Sequence, residues 1–413
     1  MRQPSNVLRG GRALSAVAGT ATLALLLTGC GGVKTTNSSS TSASVVIGAS
    51  LPLSGDLAGF GAFQKWGYER AVKEVNDAGG VTVAGKKQKV KLVLLDDKTD
   101  PNQVSSNTQT LIASNNAVGL LGSCTPALVI PGAVVADRSK VPFVTGCAPV
   151  LTFAGAKKWS YAWDLFFAEP DAAAAPFQTL KTSGSSTNKK VAILHDNGPD
   201  GQALGGKIWP MLAKVTGYTV VTNQEFPTQN TDFSAAVQKA KASGADVLLV
   251  DAGTPQAISI RKQMATAGYT PKVIVMEKGA EPVQFAKALG NLANGVIVGG
   301  YWDPSFPYPG AKTLATDYTK ETGQGYSQHI ADSYTAAKVL LDAISKAGST
   351  DASKLNTAIG ATDATYPVGP VKFASNNTAT IALAELQWQK GKTIVVWPTA
   401  SKTGPLLFPV PAS

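Results

Sequence analysis

Short β-branched runs alternating with amphipathic stretches predict an α/β protein of two doubly wound parallel-sheet lobes. Three observations carry that prediction. The alternation comes in two separate series along the chain. Most strand-like runs are apolar throughout, as expected of parallel strands covered on both faces. At 413 residues, with 44% apolar and 15% charged residues, the chain can fill two or three cores.

The first series starts at residue 45. Val45, Val46, Ile47, Gly48 and Ala49 read as a buried strand, and Phe63, Trp66, Gly67, Arg70, Ala71, Glu74 and Val75 then recur at helical spacing. Strands at 90–95, 118–122 and 141–145 alternate with helices at 101–114 and 127–138. Pro101 suits the first turn of its helix, with Asp100 placed to cap it. The second series follows Pro170 and an Ala-rich stretch. Its strands fall at 190–195, 218–226, 245–250, 272–276 and 295–300, and its helices near 201–214, 232–243, 255–267 and 281–289. Residues 303–375 are mostly helical, around 311–322 and 329–347. Residues 381–389 and 393–397 alternate about Gly391 like a hairpin.

Before the first series, Arg2, Arg9 and Arg12 precede an uncharged apolar run at 13–27. This is the layout of an export signal, and the run is short of the ~20 apolar residues a membrane span wants. Leu27-Thr28-Gly29-Cys30 resembles the lipobox of bacterial lipoproteins, in which the chain is cut before the cysteine and the thiol carries a diacylglycerol. Residues 1–29 are therefore expected to be a lipoprotein signal peptide and Cys30 the lipid attachment. Residues 30–44, rich in Ser and Thr, should be a flexible tether with a reach of roughly 20 Å. The product would be lipid-anchored on the extracytoplasmic face of the cell membrane.

Several function classes are excluded by what the sequence lacks. The cysteines at 30, 124 and 147 form no C-x-x-C, and His195 and His329 are far apart in sequence, so no metal site is expected. No G-x-S-x-G occurs and no acid or base has a partner fixed by spacing, so no catalytic residue, cofactor or enzymatic activity is assigned. His195, ending an apolar strand, reads as structural. The formal charge of +10 is scattered, with no basic run interleaved with aromatics. Nucleic acid is therefore not an expected partner, and attraction to anionic headgroups accounts for the balance.

Open α/β sheets bind ligands outside the carboxyl ends of their strands. Those ends carry Leu51-Pro52-Leu53-Ser54-Gly55-Asp56, Ser123-Cys124-Thr125-Pro126 and Gly146-Cys147-Ala148-Pro149. Backbone N–H groups and hydroxyls there suit a carboxylate, while the same residue types also make ordinary turns. Cys124 and Cys147 follow two strands expected to be neighbours, ~4.8 Å apart, which is within disulfide reach; two free buried thiols are the alternative. Trp159, Tyr161, Trp163, Phe166 and Phe167 cluster near the first passage between the lobes, where core or hinge packing is expected, with stacking on a ligand as the alternative.

The wording of these segments resembles the periplasmic leucine/isoleucine/valine-binding proteins. Gly48-Ala49-Ser50-Leu51-Pro52-Leu53-Ser54-Gly55, Gly61 and Glu74-Val75-Asn76-Asp77-Ala78-Gly79-Gly80-Val81 carry the likeness at the start. Asp96-Asp97-Lys98-Thr99-Asp100-Pro101, Ile193-Leu194-His195-Asp196, Thr231-Asp232-Phe233-Ser234, Ala267-Gly268-Tyr269 and Val368-Gly369-Pro370-Val371 continue it in order, over nearly all of 45–400.

The resemblance implies a type I periplasmic binding protein-like fold: two lobes joined by a three-stranded hinge and closing on a ligand. Lobe one would be 45–168 with 303–378, and lobe two 169–302 with 379–413. It further implies capture of a small solute, most simply a branched-chain or related amino acid, by a monomer that delivers it to an ABC transporter permease. An amide or urea-like compound, an aromatic carboxylate, or a sensor role for a signalling receptor are the alternatives. On the family's pattern the ligand carboxylate meets the loop matching Ser123, Cys124 and Thr125, and the ammonium partly the loop matching Thr145, Cys147 and Ala148. Phe60 takes the position of an aromatic that packs on the ligand side chain. In lobe two the expected tyrosines align with Asp200 and Gly253, and the acid for the ammonium falls on Glu277 or Lys278. Relatives often pair the residue matching Cys124 with a cysteine at the position of Thr99, which is absent here.

Overall fold

The computed structural model describes residues 44–412, so the expected signal peptide, Cys30 and the tether up to residue 43 lie outside the described residues. The strands, in chain order, are β1 (Val45–Leu51), β2 (Val81–Val83), β3 (Lys86–Gln88), β4 (Val90–Asp96), β5 (Gly119–Leu121), β6 (Phe143–Thr145) and β7 (Ala162–Phe166). They continue with β8 (Lys190–Asp196), β9 (Thr219–Phe226), β10 (Val247–Asp251), β11 (Val273–Met276) and β12 (Val296–Gly300). The last are β13 (Asp363–Tyr366), β14 (Gly369–Lys372), β15 (Thr378–Thr380), β16 (Ala384–Gln389) and β17 (Lys392–Trp397).

Two sheets organise the chain. One is six-stranded, β15-β7-β6-β5-β1-β4, and its pairs are all parallel. The other is seven-stranded, β17-β16-β12-β11-β10-β8-β9, parallel except where β16 and β17 add antiparallel to β12. The fully apolar strands sit where both faces are covered: Ile47, Ala49 and Leu51 of β1 and Val247, Leu249 and Val250 of β10 have no solvent exposure. The chain passes between the sheets after β7, after β12 and after β15, and Ile381 N–H donates to Phe166 O at 3.0 Å where two of these passages meet.

The helical stretch after β12 belongs against the first sheet. Helix His329–Ala347 packs on helix Ala58–Asp77, and the approach is close: a Cβ on Gly67 would stand 2.2 Å from Ser333 Oγ. Arg70 fastens the same face, its guanidinium 2.6 Å from Asp317 and 3.1 Å from Glu321 of helix Ala311–Thr322. Asp100 caps helix Pro101–Ala113 by accepting from Asn102 N–H.

The structure differs from the sequence reading at 201–214. Helix Pro199–Ala203 opens into a π turn, Leu204–Ile208, before helix Trp209–Val215 resumes. The Gly205–Gly206 pair explains it, because a Cβ on Gly205 would stand 2.4 Å from His195 Cβ. The widened turn lays bare backbone on the histidine ring and brings Leu204 to the crevice. Among the described residues no helix is long and apolar enough to cross a membrane.

Candidate ligand-binding crevice

A narrow cavity of about 50 Å³, opening into some 570 Å³ of space that includes solvent, lies between the carboxyl ends of the two sheets. In each sheet the order reverses at one point, between β1 and β5 and between β8 and β10, and the cavity is built there. The first-sheet wall is Phe60, Cys124, Thr125, Pro126, Cys147, Pro149, Phe166 and Phe167. The second-sheet wall is Asp200, Leu204, Asp251, Glu277, Lys278 and Glu281. A wider chamber of about 410 Å³ adjoins it, sharing Thr125, Asp200 and Lys278 and adding Gly253 and Gln256.

The first wall is apolar. Cys124 and Cys147 are joined as a disulfide, with Cα atoms 4.8 Å apart, because β5 and β6 are hydrogen-bonded neighbours and both cysteines follow them. Phe60 meets the His329 ring edge-on at 5.0 Å, and Phe166 and Phe167 lie 4.3 Å apart. For Phe166 and Phe167 the alternative of ligand stacking is the one the geometry favours, since both line the cavity. Trp159, stacked on Phe153, and Trp163, edge-on to Phe373, do pack inside. Thr125 holds φ 65° and ψ 150°, a conformation costly for a residue with a Cβ.

The second wall is acidic. Lys278 Nζ lies 2.8 Å from Asp196, 2.7 Å from Asp200 and 3.1 Å from Asp251, acids that end β8, follow it, and end β10. Burial works against the Lys278 charge, but Asp200, Asp251 and Asp196 outweigh it and hold the ammonium well above its ordinary pKa. Burial pushes Asp251 up to about 8 despite Lys278, with Asp200 and Asp196 adding to the rise. Glu277 is 6% exposed; burial raises its pKa well above the carboxylate range, Asp251 and Glu281 add to this, and the Gly299 N–H opposes it weakly.

A second cluster closes the floor. The His329 ring, protonated, donates from Nε2 to Glu281 and from Nδ1 to Asp332 at 2.7 Å, and the Tyr301 hydroxyl donates to the same Asp332 oxygen. Burial alone would discharge the ring, yet Glu281 and Asp332 raise its pKa to about 10. Cys147 Sγ stands 3.5 Å from His329 Nδ1. The two sulfurs and the ring nitrogens lie within 4.8 Å of one another, a grouping the sequence spacing concealed. With both sulfurs joined in the disulfide, neither is the thiolate that would ligate a metal.

Of the residues singled out from sequence, Phe60, Cys124, Thr125, Cys147, Asp200, Glu277 and Lys278 come together around the inner cavity. Glu277 and Lys278 both face it, so the choice posed between them is replaced by a pair with different tasks. Gly253 lines only the outer chamber. Ser123, Thr145 and Ala148 line neither. For Ser123 the reason is competition from a buried carboxylate, since its Oγ donates to Asp97 at 3.0 Å. Thr145 is wholly buried.

Sequence reasoning missed His329, Glu281, Asp332, Tyr301 and Asp251. Asp196 and Asp251 left a signal, since each is the acid that closes an apolar strand run. His329 left none, because nothing local marks a helix start as the floor of a distant crevice.

Comparison with known proteins places this geometry among binding proteins. The sequence profile described as "Periplasmic binding protein" matches residues 44–393. A curated relative, the Leu/Ile/Val-binding protein homolog 7 of Brucella melitensis biotype 1, is 28% identical over 395 residues, covering 89% of this chain and 95% of its own. Two solved structures share the fold. A branched-chain amino acid transporter substrate-binding protein from Streptococcus pneumoniae, in complex with isoleucine, has a TM-score of 0.75 at 20% identity, over 85% of this chain and 98% of its own. A solute-binding protein of an ABC transporter from Rhodopseudomonas palustris BisB5, in complex with 3,4-dihydroxybenzoic acid, has 0.73 at 20%, over 85% and 95%.

Proposed function

The chain belongs to the periplasmic binding protein family, and from that premise we propose that it captures a small solute, first of all a branched-chain or related amino acid, by closing its two lobes and delivers it to an ABC importer. Its fold is the type I fold of that family, whose members and structural neighbours are extracytoplasmic substrate-binding proteins and not enzymes. The observation that carries the proposal is the cavity at the switch points of two sheets joined by three passages. Such a linkage lets the lobes hinge while the walls stay rigid. An apolar wall opposite an acidic one suits a ligand with a hydrocarbon side chain and an ammonium group. The name of the curated relative and the isoleucine complex of a structural neighbour support the amino-acid class.

Lipid anchoring at Cys30 is part of the same reading and is supported by Leu27-Thr28-Gly29-Cys30 after the apolar run. Phe60 would then pack on the ligand's side chain, and Asp200 and Gly253 would stand at the exit toward the outer chamber. Thermal-shift measurements across amino acids, short amides and ureas, and aromatic carboxylates test the solute class, since a ligand at 100 times its Kd stabilises by about 2.7 kcal/mol. No response from any amino acid, beside a response from an aromatic carboxylate, rejects the first choice. Incorporation of labelled fatty acid that disappears in Cys30→Ser tests the anchor.

A further inference from the structure

The charges of the cavity do not balance. Both bases in its lining are already taken, Lys278 by Asp196, Asp200 and Asp251, and His329 by Glu281 and Asp332. Each base faces more carboxylates than it can neutralise. Between the two clusters stands Glu277, 6% exposed, lining the cavity, with Oε1 lacking any hydrogen-bond partner. Its other oxygen is held in place, for a Cβ on Gly299 would stand 1.8 Å from Oε2. A fixed carboxyl with one bare oxygen, in a cavity with surplus acids, is a receptor lacking its cation.

The opposite wall offers little to an anion. The Ser123 hydroxyl is consumed by Asp97, and Thr125 N–H donates to Cys147 O at 3.0 Å. A ligand carboxylate placed there would shed water without gaining those donors, which is unfavourable. What the wall does offer is hydrocarbon and aromatic surface from Phe60, Phe166, Phe167 and the disulfide, and aromatic faces attract organic cations.

We infer that the cavity selects an organic monocation, an alkylammonium with an apolar body, over the zwitterion or anion of the same shape, and that the Glu277 carboxylate receives its ammonium group. This rests on the reading of the crevice as a solute site and narrows it from amino acids to their amines and amides. Glu277 gives up its proton when the cation arrives, and the released proton goes to solvent.

Four compounds sharing a branched hydrocarbon body test it by titration calorimetry on the whole protein: leucinamide, 3-methylbutylamine, leucine and 4-methylpentanoate. The two cations should bind at least 10-fold more tightly than leucine, and 4-methylpentanoate should not bind. Repeating the 3-methylbutylamine titration in buffers of different ionisation enthalpy should show proton release. Glu277→Gln should weaken the cations at least 10-fold, and the buffer series provides the readout should that variant fail to fold. Binding of leucine or 4-methylpentanoate more tightly than of either cation overturns the inference and leaves solute capture standing. Cation binding without proton release overturns the role of Glu277. Silence toward all four rejects the inference together with the branched-chain reading, and silence throughout the wider solute screen rejects solute capture itself.

Discussion

His329 and Glu281 form an ion pair across the crevice, the imidazole on a helix packed against the first sheet and the carboxylate on the segment between β11 and β12 of the second. Both side chains are almost fully buried, so the pair ties the lobes where solvent cannot readily substitute for either partner. Removing one partner of such a pair typically costs ~3–5 kcal/mol because the other is left charged and unpaired. Glu281→Gln should therefore lower the unfolding free energy of the ligand-free protein by that order and expand it in small-angle X-ray scattering as the lobes part. Unchanged stability together with unchanged dimensions would contradict the pair's role.

The same residues set a pH dependence. His329, raised from 6.5 to about 10, contributes stability that is fully present below pH 6.5 and lost as pH rises through about 10. Asp251, raised to about 8, and Asp97, raised to about 6, act in the same direction: the folded state holds protons that the unfolded state has released, so stability falls as pH climbs from 3.8 through those values. Asp137, which accepts from Ser160 and Tyr161 N–H and pairs with Lys157, is held below its ordinary value and works oppositely, losing its contribution as pH falls below 3.8. Thermal unfolding should accordingly peak near pH 4, and Asp97→Asn should flatten the decline between pH 4 and 6. A maximum above pH 8 would contradict the assignment.

The disulfide closes a loop with a sequence separation of 23, for which chain entropy predicts about 3 kcal/mol of stabilisation. Replacing both cysteines, Cys124→Ser with Cys147→Ser, should lower stability by ~2–4 kcal/mol in denaturant titration. Two titratable thiols in unreduced, denatured protein lacking Cys30 would show the bond absent.

Lys278 is the cation that three carboxylates share, so Lys278→Met should destabilise the protein by ~3–5 kcal/mol, more than an ordinary core substitution. Adding Asp200→Asn, which removes the repulsion left behind, should restore part of that loss. Strict additivity of the two changes in a double-mutant cycle would mean the charges are not coupled.

Phe166 and Phe153 are both buried phenylalanines, yet only Phe166 lines the cavity. Truncation of either to alanine should cost ~3–5 kcal/mol of stability. Phe166→Ala alone should also weaken ligand binding by more than 10-fold, with Phe153→Ala leaving affinity unchanged. Equal affinities in the two variants would detach the aromatic wall from ligand recognition.

Much of the architecture was legible because strand and helix periods are local. The apolar runs of β1, β8 and β10 and the helical spacing of 329–347 each identify an element from its own residues. The π turn at Leu204–Ile208 was not legible, since it answers to the ring of His195, which only the fold brings against Gly205. The site divides along the same line. Cys124 and Cys147 could be paired in advance because each follows a strand of adjacent order. Ser123 misled, since nothing in the sequence tells that Asp97 takes its hydroxyl first.

By itself, the sequence determined two doubly wound lobes and a crevice at the carboxyl ends of the strands, because hydrophobic period and punctuation are properties of neighbouring residues. Only the tertiary structure decided the electrical character of that crevice. Lys278, read alone, promised a receptor for an anion; surrounded by Asp196, Asp200 and Asp251 it is neutralised, and beside Glu277 it leaves a wall that favours positive charge. The sign of a buried site depends on the sum over groups a few ångströms apart in space, and those groups here come from strands separated by dozens of residues.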